Sequence, residues 1–267
     1  MSQVDGGKPA PGTPELVRVE LDGEVMVVRL NRPDKRNALN DDCIRALEAA
    51  FRNPPKGARA ALLCGEGEHF SAGLDLSSLR EMSASDGVMH SRLWHRGLNE
   101  IQFGALPVVA VLHGAVIGGG LELACTAQIR VAEPSAYYAL PEGQRGIFVG
   151  GGGSVRVPRL IGVARMADMM LTGRIYDAAE GERIGLSQYL VGTGEGYAKG
   201  MELARRIAQN APLTNYAVVQ ALPRIADASH DGGLFTESLM SAVAQSDEEA
   251  KSRIRAFFEK RAPKVGK

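Results

Sequence analysis

Two glutamates and two glycine-bearing segments hold the chemistry this sequence could perform. Glu122 lies in Leu121-Glu122-Leu123-Ala124-Cys125, and Glu142 follows the apolar run Tyr137-Tyr138-Ala139-Leu140-Pro141. A carboxylate in apolar surroundings titrates high, and two close together are driven apart in pKa, leaving one acid and one base. Either alone reads equally well as a solvated charge or as the acidic residue of a helix first turn. The glycine segments are His69-Phe70-Ser71-Ala72-Gly73-Leu74-Asp75-Leu76 and His113-Gly114 through Gly118-Gly119-Gly120-Leu121-Glu122. Each is expected to join a strand to a helix, with free N–H groups and the positive end of the helix dipole at the junction. Two such termini facing each other would hold a developing oxyanion with backbone groups alone. On spacing alone, a pair of ordinary strand-to-helix turns remains an open reading.

Other chemistries lack their signatures. The chain has no G-x-x-x-x-G-K-[ST] phosphate loop, no G-x-G-x-x-G after a strand, no H-E-x-x-H and no G-x-S-x-G. Nucleoside triphosphates, nicotinamide cofactors, a zinc protease site and a serine nucleophile elbow therefore have no sequence support, and no metal site or cofactor is expected. Cys43, Cys64 and Cys125 are widely spaced among apolar residues, as buried free thiols are, which favours a reducing, cytoplasmic setting.

The elements that must position these groups follow from periodicity. Leu16–Leu21 and Glu24–Leu30 read as strands of a hairpin turning at Asp22-Gly23. Asn31–Asn37 reads as a polar, basic loop. Ile44, Leu47 and Phe51 share one face of a helix that Asn53-Pro54-Pro55 ends. Strands are expected at Arg59–Cys64, Pro107–His113, Ile129–Ala132 and Ala136–Leu140. Helices are expected at Leu74–Met82, Asp86–Phe103 and Gly118–Ala127, with helices alone from Gly153 onward. Ser246-x-x-Glu249 has the form of a capping box, and Ile254, Phe257 and Phe258 form the apolar stripe of the last helix. This order argues for an α/β core followed by a helical C-terminal region.

Composition narrows the classes. There are 31 Lys+Arg against 31 Asp+Glu, with 45% hydrophobic and 23% charged residues. Such a chain folds and is not a polyanion binder, although one local basic loop could hold a phosphate group. No segment is apolar for long enough to span a bilayer, and nothing suggests nucleic acid as a partner. The excess is in glycine, 32 of 267 residues, clustered at 65–67, 118–120 and 150–153. Glycine costs backbone entropy, so clusters mark places where the backbone comes close to something. The 118–120 cluster is expected to expose N–H groups, the 150–153 cluster to shape the wall beside Glu142, and Gly65 and Gly67 to make plain turns.

The two glycine segments, with Asn31-Arg32-Pro33…Asn37-Ala38-Leu39, Pro141-Glu142 and Leu171-Thr172-Gly173-Arg174, resemble the crotonase superfamily, the enoyl-CoA hydratase/isomerase family. The resemblance continues into Gly185-Leu186-Ser187 and covers most of the chain. It implies a ββα spiral core over residues 15–195 followed by a helical trimerisation region at 196–267, while residues 1–14, rich in Gly, Pro and polar groups, read as a leader from their composition. It implies an acyl-CoA thioester as partner and a homotrimer or hexamer. In the oxyanion hole it places the N–H groups of Leu74 and Gly119. Glu122 and Glu142 match the two glutamates that activate water and deliver a proton in the hydratases. The family's substrate contacts map onto Lys35, Arg36, Ala38, Ala72, Asp75, Leu76, Gly118, Pro141 and Gly150, with Lys35 and Arg36 near the CoA phosphates. The implied reaction is hydration of a 2-enoyl-CoA. A Δ3,Δ2-enoyl-CoA isomerase, an aromatic acyl-CoA hydratase-lyase and a non-enzymatic acyl-CoA binder are the alternatives.

Two departures matter. Val149 stands where many relatives have proline, and Gly143 where they have an aliphatic residue, so a looser or reshaped backbone is expected beside Glu142. Trp94-His95 is similar to a pair in the dehalogenase branch, but the aspartate nucleophile of that branch is missing near Gly150. His95 is therefore expected on the helix surface or lining the acyl pocket, and Met82, Met89 and Trp94 in the core or pocket wall.

Overall fold

The computed structural model describes residues 15–78 and 80–261. The expected leader at 1–14 lies outside them. The chain forms a mixed α/β fold built on two sheets. In the larger, β1 (Val17–Asp22), β2 (Val25–Leu30), β3 (Ala60–Gly65), β4 (Val108–Leu112), β6 (Ile129–Ala132) and β9 (Tyr189–Leu190) lie side by side in that order. In the smaller, β7 (Tyr137–Ala139) lies between β5 (Ala115–Ile117) and β8 (Tyr176–Asp177).

The hairpin forms as expected, one residue later. Its two-residue turn is Gly23-Glu24, with Gly23 at φ +63 and Asp22 opposite Val25, the left-handed conformation such short turns need. From β2 onward the large sheet is parallel, and parallel strands must be covered on both faces. Met26, Val28 and Leu30 pack with Ile44, Leu47 and Phe51 of α1 (Asp41–Arg52) and Leu98 and Ile101 of α2 (Ala84–Gln102). Val25 and Val27 pack on the other side with Met201, Leu203 and Ala204 of α7 (Gly196–Ala208). Each such side chain contributes about 1.5–3 kcal/mol when fully buried. At Gly97 a Cβ would lie 2.6 Å from Ile44 Cγ2, so glycine there sets how closely α1 and α2 cross.

Between the sheets the chain builds the rim of a cleft. Ser71 pairs with Val116 across an isolated bridge, donating its N–H to Ala115 O (2.9 Å) and accepting at its carbonyl from Ile117 N (3.1 Å). Gly118 donates to Ala139 O (2.9 Å), and α3 (Gly119–Ala124) follows at once. Gly120 rests on Ser71, with only 2.6 Å from a would-be Cβ to Ser71 O. The basic loop is pinned by Asn37, 1% exposed and at φ +53. Its Nδ2 donates to Glu66 O and His69 O, and its Oδ1 accepts from Arg32 N. Three such bonds, at about 1 kcal/mol each, offset a left-handed conformation that costs about 1–2 kcal/mol.

Several expectations are corrected. Leu74–Met82 is not the expected α-helix: among the described residues of that stretch only a single 3₁₀ turn forms, at Leu76–Ser78. Leu74 is held extended by a bridge to Leu39, and Asp75 draws in Ser77 N and Ser77 Oγ, turning the backbone away from helix. The C-terminal half is not purely helical, since β8 and β9 return to the sheets. It also holds α4 (Gly153–Ile161), α5 (Val163–Thr172), α6 (Ala178–Ile184), α8 (Pro212–Tyr216), α9 (Leu222–Ala226), α10 (His230–Ser246) and α11 (Glu248–Phe258). The cap of α11 is Asp247, which accepts from Glu249 N and Ala250 N, while Ser246 ends α10. The stripe on α11 faces outward, with Ile254, Phe257 and Phe258 exposed. Gly65 is no plain turn, because a Cβ there would meet His69 O at 2.5 Å. No helix among the described residues is long and apolar enough to cross a membrane.

Candidate active site

The two glycine segments converge. Gly119 N lies 3.2 Å from where a Cβ on Gly73 would stand, and Leu74 N lies 3.5 Å from where one on Gly119 would stand. The neighbouring N–H groups are occupied: Gly73 donates to Ser71 Oγ, Asp75 to Leu39 O and Gly118 to Ala139 O. Those of Leu74 and Gly119 have no acceptor among the described residues. Only Gly119 sits at a helix N-terminus, whereas Leu74 is in a bridged, extended segment. One donor thus has a helix dipole behind it and the other does not.

Both glutamates are buried beside these donors. Glu142 starts the tight turn after β7, and its Oε1 lies 2.6 Å from where a Cβ on Gly118 would stand. Its Oε2 is buried with no hydrogen-bond partner among the described residues. Burial, with a smaller push from the neighbouring Glu122, raises Glu142 to about 7 against its own backbone N–H and a weaker pull from Arg145. Burial also raises Glu122, but its Oε1 accepts from Gly151 N (2.9 Å) and Gly153 N (2.6 Å), and these bonds favour its charged form. This corrects the expected role of the 150–153 glycines, which cradle Glu122 more than they wall Glu142. Cβ atoms at Gly151 and Gly153 would stand 3.1 Å and 2.8 Å from the Glu122 side chain.

A cavity of about 300 Å³ opens over these groups, lined among others by Gly118, Gly119, Glu122, Glu142 and Gly150. A second cleft of about 410 Å³ joins it at Ala72, Leu74, Leu76, Ile117 and Arg145, and adds Lys35, Arg36, Ala38 and Asp75. Pro141 lines neither. Asp75 accepts from Arg32 at 2.8 Å and Lys35 at 3.2 Å, and Ser77 and these cations hold it well below the usual carboxylate range. Lys35 is half-exposed, and Arg36 donates to Tyr137 Oη at 2.7 Å.

Trp94 is buried in the pocket wall and Met82 lines it half-exposed, whereas Met89 points away, 68% exposed. The histidine lining this cavity is His90, whose Nε2 lies 3.0 Å from Asp41 Oδ1; the same oxygen accepts from Trp94 Nε1. His95 lines a separate cavity beside Arg156. The backbone beside Glu142 is not loose, because Gly143 closes directly on the Met170 carbonyl of α5. Sequence reasoning missed Asp41, His90, Arg145 and Arg156. The apolar neighbours of Arg156 in Val155-Arg156-Val157 were the one available signal. Among the described residues no cluster of His, Cys, Asp and Glu is suited to a metal ion.

Similarity to known proteins runs along nearly the whole chain. The short-chain-enoyl-CoA hydratase of Clostridium acetobutylicum is 33% identical over 248 residues, covering 92% of this chain and 95% of that protein. A solved chain from Rhodopseudomonas palustris is 61% identical with a TM-score of 0.90, covering 95% of this chain and 98% of its own. An enoyl-CoA hydratase structure from Bacillus anthracis aligns with a TM-score of 0.86 at 28% identity, covering 94% and 98%. The profile of the family described as Enoyl-CoA hydratase/isomerase matches residues 20–267. With two buried glutamates beside two free backbone donors, on a fold shared with these proteins, the chain belongs to the enoyl-CoA hydratase/isomerase family.

Proposed function

We propose that this protein hydrates a 2-enoyl-CoA thioester. The observation that carries the reading is the difference between the glutamates: Glu122 is held toward its carboxylate form by two N–H groups, while Glu142 keeps its proton to about 7 and has an unpartnered oxygen. The thioester oxygen accepts from Leu74 N and Gly119 N. Glu122 takes a proton from water as its oxygen bonds to C3, the C2=C3 electrons move toward the thioester, and the enolate charge collects on the held oxygen. Glu142 then protonates C2. The two roles are those of a positioned general base and general acid beside a backbone oxyanion hole. An isomerase needs one base, so the cradle built around a second glutamate favours hydration.

The CoA end is assigned to the cleft bearing Lys35 and Arg36. Lys35→Ala is expected to raise KM for the thioester about three-fold and leave kcat within two-fold, the effect of an exposed ion pair. Steady-state kinetics at two salt concentrations check this. The exposed apolar faces of α10 and α11 are assigned to assembly with further copies of the chain.

The pH dependence follows from the sign of the Glu142 shift. The acid must carry its proton, so kcat/KM is expected to fall as pH rises through about 7 and, on the acid side, as Glu122 gains a proton. Loss of enoyl thioester absorbance across pH, with crotonyl-CoA and with longer and aromatic enoyl-CoAs, tests the assignment. Intact binding with no turnover of any of them would overturn it.

A further inference from the structure

Arg156 is a buried cation beside the site with no part in the hydration scheme. Arg156, in the first half of α4, is 7% exposed, and no carboxylate among the described residues lies within ion-pair distance of it. Its guanidinium donates instead to neutral oxygens: Nε to Gln102 Oε1 at 2.6 Å, Nη2 to Asn99 Oδ1 at 2.8 Å and Nη1 to Gly151 O at 2.6 Å. A buried charge without a partner costs stability, and neutral hydrogen bonds recover only part of it. Replacement by an apolar side chain would avoid that cost, so the cation invites an explanation outside stability.

Its neighbour supplies one. Gly151 is bonded from both sides: its carbonyl accepts from Arg156, and its N–H donates to Glu122 Oε1. Gly152, at φ +100, leaves the space the guanidinium fills, since a Cβ there would run into Arg156 Nη1. The four-glycine loop is thus clamped between a carboxylate on one side and a guanidinium on the other. We propose that Arg156 is a positioning residue for hydration: it holds Gly151 so that the loop's N–H groups stay on Glu122, and it supplies the positive potential that keeps this base ionised next to Glu142.

The surroundings agree in sign. Glu142 faces Glu122 from the turn after β7 with Arg145 beside it, and Cys125 lies at the end of α3. From α2, His95 and Arg92 face the far side of the guanidinium, and Arg156 helps to depress His95. Arg156 is therefore the cation between the base and the exterior. Its field opposes the burial that would neutralise Glu122.

Three variants separate charge from geometry, resting on the hydration reading. Arg156→Gln removes the charge. Arg156→Lys keeps it but loses the fork. Asn99→Asp, at an exposed position, sets a carboxylate on the guanidinium and cancels its field without emptying the core. For Arg156→Gln, kcat is expected to fall at least about ten-fold with KM within about three-fold, and the acid limb of kcat/KM to move up by about one pH unit. Asn99→Asp is expected to move that limb in the same direction. Arg156→Lys is expected to leave the limb in place while kcat drops. A packing role alone would lower stability and leave the limb unmoved. If Arg156→Gln does not fold, Asn99→Asp carries the test. Infrared titration of the Glu122 carboxyl, with Glu122→Gln as the blank, reads the same shift without turnover. Wild-type hydration with unmoved limbs in Asn99→Asp and in folded Arg156→Gln overturns the positioning role. A wild type that hydrates no enoyl-CoA overturns the hydratase reading, while the infrared shift still decides whether Arg156 sets the charge of Glu122.

Discussion

Glu142→Gln is expected to lower kcat for hydration by roughly 10²–10⁴, the contribution of one positioned acid–base group. The amide matches the carboxyl in size, so the cavity keeps its shape and KM should stay within about three-fold. Stability should change little, since Glu142 Oε2 has no partner to lose among the described residues. The sharper signature is in the pH profile. Wild-type activity should fall through about 7, and the residual activity of the variant should lose that limb, because the group that titrates there is gone. Turnover of an enoyl-CoA panel across pH, with a thermal melt alongside, measures all three. A kcat within two-fold of wild type would sink the assignment.

Gly73→Ala should be nearly as damaging, though it removes no functional atom. Gly73 sits at φ +86, and a methyl group there would lie 2.5 Å from Ile117 O and 3.2 Å from Gly119 N. The backbone must move, and it carries the donor N–H of Leu74 on one side and that of Gly119 on the other. Loss of one oxyanion donor typically costs about 10²–10³ in kcat, and misplacing both should reach the upper end of that range. The left-handed conformation adds a stability cost of about 1–2 kcal/mol, visible as a lower melting temperature. Gly146→Ala is the control: it has a similar φ of +69, but nothing lies within 4 Å of its would-be Cβ. It should therefore show the strain without the catalytic loss. Equal kcat losses in the two would show that the crowding at Gly73 is irrelevant.

What the sequence disclosed was mostly local. The hairpin, the α1 stripe of Ile44, Leu47 and Phe51, and the buried strand expected at Pro107–His113 are each written within a few residues, whereas the short β5 before Gly118 was not foreseen. The glycines at 118–120 were readable because a glycine run between a strand and a helix has few uses. The partner of the 150–153 run was not readable. Gly151 and Gly153 meet Glu122 across about thirty positions of chain, and proximity to Glu142 in sequence pointed to the wrong carboxylate. The ion pairs of Asp75 were not readable either, since Arg32 and Lys35 reach it from about forty positions away, on the loop that also approaches the cleft. The missing helix at 74–82 has a similar cause. Its apolar spacing is helical, but the bridge from Leu39 to Leu74 and the bonds from Asp75 to Ser77 outweigh propensity. Arg156 has its side-chain partners Gln102 and Asn99 more than fifty positions away, so local sequence says little of its place.

Contact of Gly120 with Ser71 bears on how such a site can diversify. The gap between the two donors is set by backbone resting on backbone, and packed interiors barely compress. On the hydration reading, that rim is a fixed gauge for the thioester oxygen, which a substitution such as Gly73→Ala spoils and does not retune. The opposite wall is built differently, from Met82, Ile147 and Phe148, all partly or largely exposed. Substitutions there change the shape offered to the acyl group without disturbing the oxygen's seat. Selectivity among thioesters can therefore drift on one side of the cleft while the reaction chemistry stays anchored on the other.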